Sequence, residues 1–333
     1  MNVAPLAEVT RGDQVESIHF GAVAVVNTRG ELLYQAGDPH FLTFTRSTIK
    51  PFQALPFLRA GGSAHFGFGS REIALLCASH SGETLHTAVV ESMLRKAGCD
   101  EHHLQCGCHV PLHYATANTQ PAPGVSFTQV HNNCSGKHAG FLAYCRQHGQ
   151  PVETYLDPLH PLQKEIRSCL ADVCGVAETG MPVGTDGCSA PNYALPLSRL
   201  AYAYARLAQI GPDPDYGELT GQLYAAMTSH PDLVSGTGRI DLALMKAGQG
   251  DWVAKGGAEG VQVIGIRSKG LGIALKAADG GARGLQPATV AVLSQLGLLP
   301  QGSVLAPWAH PQLFNLKGIR IGEVRPAVQL TKA

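Results

Sequence analysis

Arg46-Ser47-Thr48-Ile49-Lys50 sets a hydroxyl and an amine three residues apart. On a continuous helix both side chains share a face, with Cβ atoms about 5–6 Å apart. A neutral amine there takes the seryl proton and makes the oxygen an attacking group for a carbonyl carbon. The lysine must then fall from about 10.4 toward 7–8, which burial and neighbouring cations bring about. Ser-x-x-Lys also occurs by chance, with the serine capping a helix and the lysine solvated. Two further segments add weight. Cys77-Ala78-Ser79-His80-Ser81-Gly82-Glu83 is a small polar interruption between two helical patterns, suited to delivering hydroxyls into a pocket. Lys255-Gly256-Gly257 lies just ahead of an apolar strand pattern, and its glycines let a backbone approach a ligand closely.

Asn132-Asn133-Cys134-Ser135-Gly136-Lys137-His138 resembles a phosphate loop, but the glycine that a Walker sequence needs is His131, and His138 stands where Ser or Thr belongs. Nucleotide binding is therefore rejected. Cys134, His138 and Cys188 are candidate soft-metal ligands. No C-x₂-C pair supports them, so spacing alone favours buried cysteines. Cys106-Gly107-Cys108-His109 with His113 has poor zinc spacing and reads as loop structure.

Lys+Arg and Asp+Glu are 25 each and no basic run appears, which argues against a nucleic-acid surface. With 44% hydrophobic residues the chain is not disordered, and no stretch approaches the roughly 18 apolar residues of a membrane span. The N-terminal stretch lacks a charged start followed by an apolar run, and the odd number of cysteines needs no staple in a chain of 333 residues. The expected location is the cytoplasm.

Hairpins are predicted at Ser17–Val26 with Glu31–Gln35 and at Gly260–Ile266 with Gly272–Lys276, and short strands at Phe41–Thr45, Gly124–Val130 and, on an edge, Gly318–Val324. Helices are predicted at Ser47–Arg59, Arg71–Ala78, Glu83–Ala97, Lys137–Arg146, Pro161–Val173, Ala194–Gln209, Glu218–Met227, Arg239–Lys246 and Ala288–Leu298. Strands at both ends with helices between give an α+β class: an antiparallel sheet completed by both termini and flanked by helices. One domain over residues 1–333 is expected, with a helical lobe in the middle of the chain.

The order Ser-x-x-Lys, Ser loop, Lys-Gly echoes the roles in penicillin-recognising enzymes, although the loop is not Ser-Asp-Asn and Gly stands where Thr is usual. The whole chain resembles the rhizobial-type L-asparaginases, the asparaginase II family. The resemblance is carried by Arg46 to Gln53, Ala78 to Glu83, His131 to His138, Thr185 to Pro191, Ser235 to Arg239 and Lys255 to Gly260, in family order. It implies a serine β-lactamase-like fold, a homodimer, and hydrolysis of L-asparagine to L-aspartate and ammonia. It further implies two Ser–Lys pairs, Ser47 with Lys50 and Ser79 with Lys255, and a zinc ion on Cys134, Lys137 and Cys188. The expected mechanism has Ser47 attack the side-chain amide while Lys50 accepts its proton. Asp186 is assigned to the substrate ammonium and Arg46 or Lys255 to its α-carboxylate, with His80 a further substrate contact. An acyl adduct on Ser79 that survives Ser47→Ala would reverse the choice of nucleophile. Two rivals are a β-lactam-interactive serine acyl-enzyme and a zinc-stabilised binding protein without catalysis.

Overall fold

The computed structural model describes residues 2–299 and 302–333. The chain forms two compact units. One takes the sequence up to Thr48, Leu195–Ala208 and the stretch from Ala243 onward; the other takes Ile49–Ala194 and Gln209–Leu242. Among the described residues no helix is long and apolar enough to cross a membrane.

The first unit is built on a nine-stranded sheet with the order Gln312–Phe314, Arg320–Pro326, Ala4–Arg11, Gln14–Asn27, Leu271–Ala277, Val261–Ile266, Trp252–Gly257. Leu32–Ala36 branches from Gln14–Asn27 and carries Thr331–Lys332 at its side. The pairings are antiparallel and both chain ends lie in the sheet, as the strand positions in the sequence require. Successive side chains of a strand face opposite ways, so the six consecutive buried residues of Val261–Ile266 mean that both faces are covered. Helix Leu197–Ala208 packs on this strand, on its neighbour Leu271–Ala277 and on the next strand Gln14–Asn27, and helix Ala282–Gln295 packs on Ala4–Arg11 and Arg320–Pro326.

Several expectations change. The strand Ala4–Arg11 was not predicted; it contains Pro5, which the pairing with Gln14–Asn27 absorbs through a register shift at that point. Arg320–Pro326 lies inside the sheet, since Gln312–Phe314 forms the edge beyond it. Lys255-Gly256-Gly257 is itself strand, with Lys255 opposite Val263, and its two glycines hid that from a propensity reading. The helix near the C-terminus starts at Ala282 and accommodates Pro287 internally, where a proline ordinarily marks a start.

The second unit is helical, with Ser70–Leu76, Thr84–Lys96, Ser135–Gln147, Pro161–Cys174 and Leu219–Ser229 as its main helices. Ser47–Arg59 is not one helix: a 3₁₀ turn Arg46–Ile49 leads into the short helices Lys50–Gln53 and Leu55–Arg59, each with proline in its first turn. The predicted strand Gly124–Val130 is not formed. Its polar groups go to a facing loop, with Cys106 Sγ and Cys108 Sγ donating to Gln129 O and Phe127 O, and it ends in the 3₁₀ turn Gln129–His131.

Gly272 fixes how closely Leu197–Ala208 rests on the sheet. A Cβ there would sit 1.8 Å from Ala201 O and 2.7 Å from Ala205 N, both helix backbone. Gly272→Ala is expected to lower unfolding free energy by about 2–3 kcal/mol, read from the urea midpoint at unchanged m-value. A midpoint equal to that of the wild type would show that helix and sheet separate without cost.

Candidate active site

The first unit holds Arg46, Ser47 and Lys255. Arg46 has φ 50°, the left-handed region that non-glycine residues occupy at a cost. The turn that follows is fixed by Thr48 Oγ1 donating to Thr45 O at 2.7 Å and by the buried Tyr204 hydroxyl donating to Thr48 O at 2.7 Å. Gly257 comes so close that a Cβ would lie 3.1 Å from Thr45 O and 3.2 Å from Arg46 Cβ. Strand Trp252–Gly257 therefore ends against the turn that carries Ser47. Ser47 is half-buried. Lys255 is fully buried and donates to Gly256 O at 2.8 Å, while Arg46 stands 3.8 Å from Glu259.

Lys50, Ser79 and His80 lie in the second unit. Lys50 is 1% exposed. Its Nζ lies 2.5 Å from Ala78 O, 3.0 Å from Ser79 Oγ and 3.4 Å from Asn133 O. Two of these partners are carbonyls, which only accept; the hydroxyl can accept or donate. Of these three contacts, only the one with Ser79 can bring a proton to the amine. Spacing pairs Lys50 with Ser47, yet its hydrogen bonds go to residues 28, 29 and 83 positions away.

Helix packing places those partners. Helix Ser70–Leu76 delivers Ala78 and Ser79 at its end, and Asn133 precedes helix Ser135–Gln147. Gly136 and Gly140 let the two helices touch, since Cβ atoms there would lie 2.4 Å from Leu75 O and 2.3 Å from Leu76 Cδ2. The backbone near Ser79 is tied down as well. Ser79 N donates to Val234 O at 3.0 Å and His80 N to Asn133 O at 3.2 Å. These two amides are already committed, so stabilisation of an oxyanion falls to other donors.

His80 is fully buried with both ring nitrogens engaged. Nδ1 accepts from Gly82 N at 3.1 Å, so Nε2 carries the hydrogen toward Ser135 Oγ at 2.8 Å, and Ser135 Oγ donates to Val130 O at 2.8 Å. Its ring stacks on His86 with centroids 5.0 Å apart, and His86 Nε2 donates to Asp232 O at 2.9 Å. The expected substrate contact is thus an internal strut. Burial, aided by the His86 and Lys50 charges, holds His80 well below the ordinary imidazole range, and burial also lowers His86.

Cys134, Lys137 and Cys188 come together. Lys137 Nζ lies 3.1 Å from Cys188 Sγ. A hydrogen bond with Cys134, together with the Lys137 and His138 charges, lowers Cys188 well below the ordinary thiol range against the opposing effect of burial. Cys134 is pushed up by that same hydrogen bond and by burial; burial pulls Lys137 down, but the Cys188, Cys134 and Asp186 charges prevail and raise it. Asp186 caps its own turn, accepting from Gly187 N at 2.8 Å. Among the described residues no three His, Cys, Asp or Glu side chains converge as a metal site. The trio offers two sulfurs and an amine, and the buried His138 Nε2 has no hydrogen-bond partner. This soft donor set fits zinc once Cys134 and Lys137 are deprotonated.

Spacing arguments assigned no role to Asn133, Ser135, Glu83 or Arg239. Glu83 accepts from Thr237 N at 2.9 Å and Thr237 Oγ1 at 3.0 Å, and Arg239 Nη1 donates to Ser79 O. The polar runs flanking them are the sequence signal that could have pointed to them.

The histidine stack sets a pH dependence. Unfolded, both rings take protons below about 6.5; folded, both resist. Stability is full above that value and falls as the pH drops beneath it. Melting temperature is expected to be lower at pH 5 than at pH 7.5, with a flatter slope in His80→Gln. Equal slopes in the two proteins would show that His80 is not the group responsible.

Among solved structures, Mglu in its native form is 14% identical over 85% of this chain and 66% of that one, with a TM-score of 0.46. Mglu in its glutamate form is 16% identical over 84% of this chain and 61% of that one, at 0.37. A beta-lactamase from Mycobacterium bovis is 12% identical over 83% and 94%, at 0.37. The chain thus spans about two thirds of the length of the Mglu chains or slightly less. No curated protein matches it. The family model of L-asparaginase II matches residues 7–326. On that match, which covers nearly the whole sequence, the chain belongs to the L-asparaginase II family.

Proposed function

We propose that the protein hydrolyses L-asparagine to L-aspartate and ammonia through a seryl ester, with Ser79 as the attacking oxygen and Lys50 as its base. The observation that carries this is the lysine's set of neighbours: two carbonyls hold two N–H groups, and the remaining direction meets Ser79 Oγ. In the neutral amine that direction is the lone pair. This supports moving the attack from Ser47 to Ser79. Ser79 Oγ bonds to the side-chain amide carbon while its proton passes to Lys50 Nζ. The C–N bond then breaks, Lys50 returns the proton to the leaving nitrogen, and ammonia departs. Water adds to the ester, gives a proton to Lys50, and the seryl oxygen takes it back as L-aspartate leaves.

Ser47 and Lys255 keep the role of second Ser–Lys pair that the family resemblance implies, and Asp186 that of the ammonium contact. A β-lactam-interactive acyl-enzyme is the rival in which the same hydroxyl is acylated without ammonia release. Cytoplasmic location and a homodimer stay part of this proposal. So does zinc, which Cys134, Lys137 and Cys188 would hold and which would tie those three side chains into one rigid cluster. The chain's own part is to hold Asn133 between that cluster and Lys50.

Lys50→Met is expected to lower ammonia release from L-asparagine by about 10²–10⁴-fold. Mass spectrometry of quenched turnover should find the aspartyl adduct in Ser47→Ala and none in Ser79→Ala. The reverse pattern returns the attack to Ser47. Metal content after dialysis against zinc should rise between pH 6 and pH 8, because Cys134 and Lys137 must release protons, and should vanish in Cys188→Ala. Occupancy unaffected by Cys188→Ala would remove the trio as the site.

A further inference from the structure

We infer that Arg239 anchors the α-carboxylate of the amino-acid substrate, a conclusion that rests on the Ser79 reading above. Arg239 Nη1 donates to the carbonyl of Ser79, the residue whose hydroxyl meets Lys50. The side chain is half-buried, and among the described residues no carboxylate pairs with it. Its remaining N–H groups form a planar fork of the shape a carboxylate accepts in two parallel hydrogen bonds. In L-asparagine the α-carboxylate carbon is three bonds from the amide carbon under attack. A cation bonded to the attacking residue's own backbone is at the range this requires. The two cations that sequence reasoning offered for the task are otherwise engaged: Arg46 lies beside Glu259, and Lys255 is fully buried with its nitrogen on Gly256 O.

The fork is also held in place. Val234 O accepts from Ser79 N, Ser235 O accepts from Ser81 Oγ at 3.3 Å, and Glu83 accepts twice from Thr237. Between these ties runs Gly236 at φ 136°, where a Cβ would lie 2.2 Å from Ser81 Oγ. Residues 234–239 are thus stitched to 79–83 before any ligand arrives, which cuts the ordering cost of binding.

Calorimetric titration with L-aspartate and with L-isoasparagine, which carries a neutral amide in place of the α-carboxylate, tests the assignment. The wild type is expected to prefer L-aspartate by about 10–100-fold. Arg239→Met should abolish that preference and Arg239→Lys should keep part of it, with melting temperatures recorded for all three. A preference that survives Arg239→Met, or a wild type that shows none or binds neither compound, overturns the anchor. If Arg239→Met does not fold, a full preference retained by Arg239→Lys also counts against it, since a point charge does not reproduce a planar fork. Ammonia release separates this inference from the reaction. A wild type that releases ammonia with an Arg239-independent preference keeps the reaction and loses the anchor. A wild type that releases none, yet shows an Arg239-dependent preference, keeps the anchor and loses the reaction.

Discussion

A lysine amine sealed among two carbonyls and one hydroxyl is the constraint around which the second unit is arranged. An amine taken out of water without partners costs several kcal/mol, so each partner must be delivered by rigid backbone. Ala78 O comes from the end of one helix and Asn133 O from the turn before another, and Lys50 itself opens a third. The contact that could activate a serine is therefore also a contact that fixes three chain segments relative to one another. Any packing change that moves one carbonyl changes the direction left open to Ser79.

Small residues make that delivery feasible. With Gly136 and Gly140 facing Leu75 and Leu76, helix Ser135–Gln147 approaches helix Ser70–Leu76 closely enough that the segments at their ends share partners. The neutral histidine stack then braces the loop: His80 reaches Ser135, and its own amide reaches Asn133. Histidine serves there because, uncharged, it offers one donor and one acceptor on opposite edges of a rigid ring. That use of His80 was invisible from its position in a polar loop, where solvent or substrate is the more natural partner.

What the sequence disclosed follows from the range of the forces involved. The long amphipathic helices Thr84–Lys96 and Pro161–Cys174 were placed within a residue or two because their burial pattern is local. The antiparallel sheet with both ends of the chain was legible from strand position alone. Ser47 and Lys50 were singled out by residue type and spacing, but spacing predicts a pair only on a continuous helix. Here a left-handed Arg46 and a 3₁₀ turn precede Lys50, so the hydroxyl it meets comes from 29 residues away. Arg239 was the least legible of all, since nothing within its own neighbourhood announces a partner 160 positions earlier.

The cysteine cluster is constrained by its charge count. Cys188 is lowered while Cys134 and Lys137 are raised, a pattern that favours one thiolate, one thiol and one ammonium, a trio without net charge. Binding a divalent ion would release one proton from Cys134 and one from Lys137, and the sum stays the same. Low-dielectric surroundings penalise net charge far more than its rearrangement, so an exchange of two protons for one ion needs no new counter-charge from the protein. On this reading a bound ion leaves the electrostatic balance felt by Lys50 nearly unchanged. It would act instead through position, because Cys134 directly follows Asn133, whose carbonyl is one of the two that aim the amine at Ser79.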